Sequence, residues 1–230
     1  MTIDFFRFPH TPHIVWLGEG VPRDDKVLSA SEVKTLLSGE IVIEEKLDGA
    51  NLGISISPEG NLRTQNRGQY LVEPHEGQFR ELSTWLKPRE EALFEVLGGN
   101  LILFGEWVAA RHSLDYDCLA DWFLVFDVYD RQCQRFWSTT RRNELASQLG
   151  LNVVPKIFCG NISLDALKEL LNSHHSKFRN GSMEGIVVRR ETKEWLDERA
   201  KLVRPDFTQA IGDHWRNRKI EWNRLVWNCS

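Results

Sequence analysis

A chain of 230 residues, 41% of them hydrophobic, is long enough to bury a substantial core as one domain or two small ones. A formal net charge of -4 excludes a surface that is basic all over, so any nucleic acid must be met by a local patch. Cys118, Cys133, Cys159 and Cys229 are scattered without a Cys-x-x-Cys pair, which excludes a disulfide-dense scaffold and predicts reduced thiols.

In chain order, the start Met1-Thr2-Ile3-Asp4-Phe5-Phe6-Arg7 lacks the basic-then-apolar order of a secretory signal, and the expected location is cytoplasmic. Ser29 to Gly39 predicts a short helix capped at Ser29 and stopped by glycine. Strands are expected around 41–46 and 51–57. From Glu76 to Leu97, the spacing of Phe79, Leu82, Leu86, Leu93 and Val96 is helical, with a break near Pro88. Strands around 101–108 and 122–129 follow, then helices over 138–149 and 163–171, then a strand around 184–190. His174-His175 falls at a helix end. The apolar runs Leu101 to Phe104 and Trp122 to Phe126 are far too short to cross a membrane. Near the end, Ile211, Trp215, Trp222 and Val226 share one face of an expected amphipathic helix, with Arg216, Arg218, Lys219 and Arg224 elsewhere. That helix either packs on the core or offers cations and aromatics to RNA. With no repeat, low-complexity tract or long linker, the pattern predicts one compact α+β domain with antiparallel sheets.

The chemistry centres on Lys46, in Ile41-Val42-Ile43-Glu44-Glu45-Lys46-Leu47-Asp48-Gly49-Ala50-Asn51. A lysine between two alternating apolar segments suits a covalent nucleophile, whereas the plain alternative is an exposed side chain at a hairpin turn. A free lysine titrates near ~10.4, so a nucleophilic one needs burial or nearby cations to lose its proton. The Asp48-Gly49 turn is expected to let a phosphate approach the backbone. There is no Gly-x-x-x-x-Gly-Lys-Ser/Thr loop, no His-Glu-x-x-His and no Gly-x-Ser-x-Gly. The seven histidines form no recognised metal-binding motif.

Lys46-Leu47-Asp48-Gly49 resembles motif I of the covalent nucleotidyltransferases, the polynucleotide ligases and mRNA capping enzymes, and the other motifs follow in the family's order. Arg67 in Thr64-Gln65-Asn66-Arg67-Gly68 falls where motif Ia would lie. Phe104-Gly105-Glu106 resembles motif III and Trp122-Phe123-Leu124-Val125-Phe126-Asp127-Val128 motif IIIa. Met183-Glu184-Gly185-Ile186-Val187-Val188-Arg189 resembles motif IV and Ala200-Lys201-Leu202-Val203-Arg204-Pro205 motif V. Asn51, where DNA ligases usually carry arginine, and Phe8-Pro9-His10-Thr11-Pro12-His13 are similar to the RNA ligase 2-like branch, which includes the kinetoplastid RNA-editing ligases. Motif V departs from many relatives: Val203 stands where a second cation is usual, leaving Arg204 or Arg199 to replace it.

The resemblance implies an adenylation domain over 1–204, with ATP-grasp-like antiparallel sheets holding the nucleotide, and a helical extension over 205–230 with no second domain. It implies an ATP-dependent RNA ligase in which Lys46 is the nucleophile and Lys201 the cation on the α-phosphate. Glu106 and Glu184 would hold Mg²⁺ largely through its waters. Asp48 is expected at water or metal, Asn51 at the metal hydrates, Phe126 on the adenine, and Arg67 at a sugar or terminal phosphate. Glu45 and Glu184 join the nucleotide-binding set. The implied partner is RNA with a 5′-phosphate and a 3′-hydroxyl, and no membrane. Two alternatives are a capping-type guanylyltransferase and a non-catalytic module that binds RNA ends.

Overall fold

The computed structural model describes residues 5–20, 22, 26–209 and 219–226. Its elements in order are α1 (Ala30–Leu36), β1 (Ile41–Lys46), β2 (Ala50–Ile56), β3 (Leu62–Gln65), α2 (Leu82–Leu86), α3 (Glu90–Leu97), β4 (Leu101–Trp107) and β5 (Phe123–Asp130). Then come β6 (Arg135–Phe136), α4 (Thr139–Gln148), β7 (Asn152–Val153), β8 (Lys156–Gly160), α5 (Leu164–Ser173), β9 (Gly185–Glu191), β10 (Leu196–Val203) and α6 (Pro205–Gln209).

Among the described residues the strands form two sheets, one in the order β10-β9-β1-β8 and one in the order β3-β2-β4-β5-β6. All pairings along these paths are antiparallel, and β7 alone pairs in parallel, with β5. The expected α+β architecture is therefore present. β1 and β2 are not a hairpin. They belong to different sheets, and residues 47–49 carry the chain from one to the other.

Strand alternation assigns the faces. Ile41, Ile43, Ile186, Val188, Ala200 and Leu202 cover the outer face of the first sheet and pack with Val33 and Leu36 of α1 and Leu167 and Leu171 of α5. Leu52, Ile54, Leu103, Phe123 and Val125 do the same on the second sheet, against Leu82, Trp85 and Leu86 of α2, Leu93 and Leu97 of α3, and Leu145 of α4. The inner faces carry the polar groups of the site, and on the second sheet also an apolar cluster of Ile102 and Phe104 with Phe8. Local signals account for the helix starts: Ser29 forms a capping box with Glu32, and Ser138 and Ser163 accept bonds from Arg141 N and Ala166 N. The 76–97 segment breaks at Pro88 as expected, into two short helices and two 3₁₀ turns. His174 is the C-cap of α5.

The tail differs from expectation. Ile211, Trp215, Arg216 and Arg218 lie outside the described residues, but residues 219–226 are extended, with bridges from Trp222 to Ala110 and from Leu225 to Leu119. The reason is local pairing. Asn223 donates through Nδ2 to Val108 O at 2.8 Å and accepts from Tyr116 N at 2.9 Å, bonds that a helix would not present. Cys118 is disulfide-bonded, against the expectation of reduced thiols, while Cys133 and Cys159 are free and exposed. Spacing in sequence does not reveal which distant cysteines the fold brings together.

Candidate active site

The two inner faces enclose a cavity of about 630 Å³, within the range of small-molecule sites. From the first sheet, Glu44 and Lys46 of β1, Val187 and Arg189 of β9, and Arg199 and Lys201 of β10 line it. Register makes this one surface, because Glu44 and Lys201 both pair with Val187, and Arg189 pairs with Arg199. From the second sheet come Asn51 and Glu106, directly opposite one another across β2 and β4, together with Phe126 and Asp127. The register between β4 and β5 shifts at Phe104/Gly105, where Phe104 pairs with Asp127 and Gly105 with Val125. Phe126 is thus the extra residue of a bulge, a common device for aiming a side chain at a site.

Lys46 ends β1 opposite Gly185 and reaches both carboxylate oxygens of Glu184 at 2.7 Å. Burial lowers its pKa, but Glu184, Glu106 and Asp48 raise it further, and the net direction is upward. Without ligand it is an ammonium. Glu184 and Glu106 are each pushed up to about 7, first by burial; Asp48 adds to both and Glu184 adds to Glu106, while Lys46 opposes. Two crowded carboxylates beside a lysine form a site that gains when a cation enters.

The cross-over between sheets is held tightly. Gly49 N donates to Glu106 Oε1 at 3.0 Å, and Asp48 N donates to the Tyr116 hydroxyl at 2.8 Å. One Asp48 oxygen accepts from Ser113 N at 2.7 Å and Leu114 N at 2.9 Å, so that oxygen anchors a loop. Glycine is needed at 49 because a Cβ there would sit 2.6 Å from the Trp107 carbonyl. Its role in the fold is close approach to β4, a reason different from the expected phosphate contact.

Of the residues singled out by sequence, Lys46, Asn51, Arg67, Glu106, Phe126 and Lys201 meet around this cavity, and Glu184 joins through Lys46. Both polar atoms of the Asn51 side chain are buried without a protein partner, as is Arg67 Nε, so these groups have capacity for a ligand. Lys201 is fixed by its backbone, which donates to Pro12 O and accepts from Ile14 N, each at 2.8 Å. Glu45 also lines the cavity. Strand alternation puts its side chain on the other face from Lys46, where its carboxylate accepts from Lys177 N at 3.1 Å. Arg199 lies two residues before Lys201 and lines the cavity, whereas Arg204 lies beyond β10 and pairs with Asp206 at 3.3 Å.

Sequence reasoning missed a buried ionic network in the wall of the cavity. Arg142 of α4 forks onto Glu44 at 2.6 and 3.1 Å, Arg189 meets Asp127 at 2.9 Å, and Arg199 bonds the other Asp127 oxygen while lying over the rings of Phe8 and Phe136. Asp127 and Arg189 stood inside the recognised motifs without a role, and Glu44 two residues before motif I. Their signal is a charge at an inward position of an otherwise apolar strand. Tyr116, whose pKa burial pushes well above that of an ordinary tyrosine, was also missed.

A cavity between two antiparallel sheets, with a partly buried lysine facing paired carboxylates, is the arrangement that the nucleotidyltransferase resemblance implies. Residues 39–203, most of the chain, match the RNA ligase family, and the chain belongs to that family. Solved structures of Naegleria gruberi RNA ligase share the fold. The form with PPi has a TM-score of 0.63 at 17% identity, covering 91% of this chain and 64% of that one. An apo point mutant has a TM-score of 0.60 at 16% identity, covering 78% and 53%. Another mutant, with ATP and Mn, has a TM-score of 0.58 at 18% identity, covering 78% and 54%. The chain thus spans about half the length of these last two. Curated proteins give no match.

Proposed function

We propose that the chain is the adenylation unit of an ATP-dependent RNA ligase, with residues 1–204 carrying the nucleotide chemistry. The observation that carries this reading is Lys46 at the cavity, held by Glu184 and flanked by Glu106, Lys201 and the unpartnered Asn51. Lys46 would attack the α-phosphorus of ATP: an N–P bond forms, the bond to pyrophosphate breaks, and the amine proton leaves. Lys201, Arg67 and Phe126 all line the cavity; the two cations would meet phosphate oxygens, and the ring would stack on the adenine.

The amine must first be neutral, and the raised pKa of Lys46 opposes this while two carboxylates face it. A divalent cation, Mg²⁺ in this reading, would be held by Glu106 and Glu184 and would offset the charge that keeps Lys46 protonated. The raised carboxylates and orphaned Asn51 fit such an ion. Among the described residues no three His, Cys, Asp or Glu side chains group as a metal site, which agrees with an ion held by two carboxylates, waters and phosphates.

In the later steps the AMP would pass to a 5′-phosphorylated RNA end, and a 3′-hydroxyl would displace it to leave a phosphodiester. No described helix is long and apolar enough to cross a membrane. The exposed free thiols of Cys133 and Cys159 favour a cytoplasmic setting, and the Cys118 disulfide counts against it. Intact-mass spectrometry after incubation with ATP and magnesium tests the reading. The parent gains the mass of one AMP and Lys46→Ala gains none; an adduct formed only with GTP, or one that persists in the variant, overturns it.

A further inference from the structure

A buried residue outside the 1–204 segment ties together the loop that joins β4 to β5. Asn223, on the extended tail, makes three bonds to that loop. Its amide donates to Ala109 O at 2.9 Å, Nδ2 donates to Val108 O at 2.8 Å, and Oδ1 accepts from Tyr116 N at 2.9 Å. One residue thus bridges the start of the loop, just after Trp107, to Tyr116 near its middle. The tail continues the grip on either side: Arg111 N donates to Glu221 O at 2.8 Å, Arg224 N to Tyr116 O at 3.1 Å, and Val226 N to Leu119 O at 2.9 Å.

The same loop holds Asp48. The buried Tyr116 hydroxyl accepts from Asp48 N, and Ser113 N and Leu114 N both donate to one Asp48 oxygen. Asp48 lies between Lys46 and Gly49, whose amide donates to Glu106, so these bonds set the cross-over that carries the nucleophile. The Tyr116 ring belongs to the apolar cluster of Leu47, Val108, Leu114 and Leu119. In a close-packed cluster a shift of its backbone is passed on to its hydroxyl. The path from the tail to Lys46 is therefore short: the Asn223 side chain, the Tyr116 backbone and ring, then the Asp48 backbone.

We propose that Asn223 is a positioning residue for adduct formation, acting through Tyr116 on Asp48 and so on the placement of Lys46 Nζ. This rests on the reading of Lys46 as the nucleophile and extends the catalytic unit to the tail. Asn223→Ala takes no group out of the cavity but strands Val108 O and Tyr116 N without partners. A nucleophile displaced by about 1 Å can lose on the order of a hundredfold in rate, so a distant clamp can matter to the chemistry.

The test is single-turnover formation of the AMP adduct across ATP concentrations, beside amide hydrogen exchange by NMR, on the full chain. In Asn223→Ala the maximal rate falls about tenfold or more, while the ATP concentration at half-maximal rate moves by less than about threefold. A role in folding alone would lower the fraction of protein that reacts and leave its rate at the parent value, which overturns the proposal. Tyr116→Phe keeps the ring and removes only the acceptor for Asp48 N, and it slows the reaction in the same way. The double variant is no more than about twofold slower than the slower single variant; effects that multiply mean that the two residues act separately and overturn the proposal. Arg224→Ala, an exposed side chain whose backbone makes the neighbouring bonds, keeps the parent rate, and a loss there equal to that of Asn223→Ala overturns the assignment to Asn223. The Asp48 and Gly49 amides exchange about tenfold faster in Asn223→Ala, with those between β2 and β4 unchanged. If the parent forms no adduct, the nucleophile reading fails and exchange alone decides: faster exchange at Asp48 keeps Asn223 as the clamp on the cross-over, and parent-like exchange removes it.

Discussion

Glu184 turns both carboxylate oxygens on Lys46 Nζ, each at 2.7 Å, so the group proposed to act as a free amine rests as an ammonium held by a candidate metal ligand. The pair is an off state that a cation between the carboxylates would release. Single-turnover formation of the AMP adduct should rise with pH, because the raised lysine must lose its proton. Raising the divalent ion from limiting to saturating should shift that limb to lower pH by about one unit, or ~1.4 kcal/mol. A limb indifferent to metal concentration would separate the ion from the protonation of Lys46.

The same crowding predicts a stability profile. Glu106 and Glu184 titrate at about 7 in the fold against 4.5 when unperturbed, so the folded protein binds more protons than the unfolded chain between those values. Stability from these groups is complete below about pH 4.5 and is lost as pH rises through about 7. The melting temperature of metal-free protein should fall from pH 5 to pH 8, and Glu106→Gln should make that fall shallower. Calorimetry across this range checks both.

Among the described residues the Asn51 side chain makes no hydrogen bond, so Asn51→Ala removes none from the fold. Its unfolding free energy without ligand should stay within about 1 kcal/mol of the parent. Adduct formation should slow by an order of magnitude or more. Denaturant titration alongside adduct kinetics separates the two effects, and a large stability loss would mean that Asn51 serves the fold.

The Glu44–Arg142 fork is fully buried, with side-chain exposures of 2% and 1%. Removing one partner strands a charge, and Arg142→Ala should cost about 3–5 kcal/mol in urea unfolding. Replacing both as Glu44→Leu/Arg142→Met should recover most of that loss. If the double variant is no better than the single, the charges do more than satisfy one another.

Much of this architecture was legible because neighbours in sequence decide it. Ser29, Ser138 and Ser163 announced their helices, β1 fell on its expected residues, and Pro88 broke the helical stretch where expected. The strands that were not anticipated, β3, β6, β7, β8 and β10, are short or highly charged and gain their identity from pairing partners. β10 carries Asp197, Glu198, Arg199 and Lys201, and its alternation emerges only beside β9. In the site, ordered motifs led to Lys46, Asn51, Arg67, Glu106, Phe126, Glu184 and Lys201, because the chemistry dictates those residue types. Asp127, Arg142 and Arg189 escaped notice because their partners lie on other elements. The extended tail was hidden by a spacing of apolar residues that also satisfies a helix.

Residues 12–14 bond to the backbone of Lys201 on the outer strand of the first sheet, while Phe6 and Phe8, a few residues earlier, pack on aromatic rings of the second. An open β margin is a template for another chain, and here the leading segment occupies that margin beside Lys201. Losing that segment would do more than loosen one lysine: it would bare a ribbon able to pair with a strand of another chain.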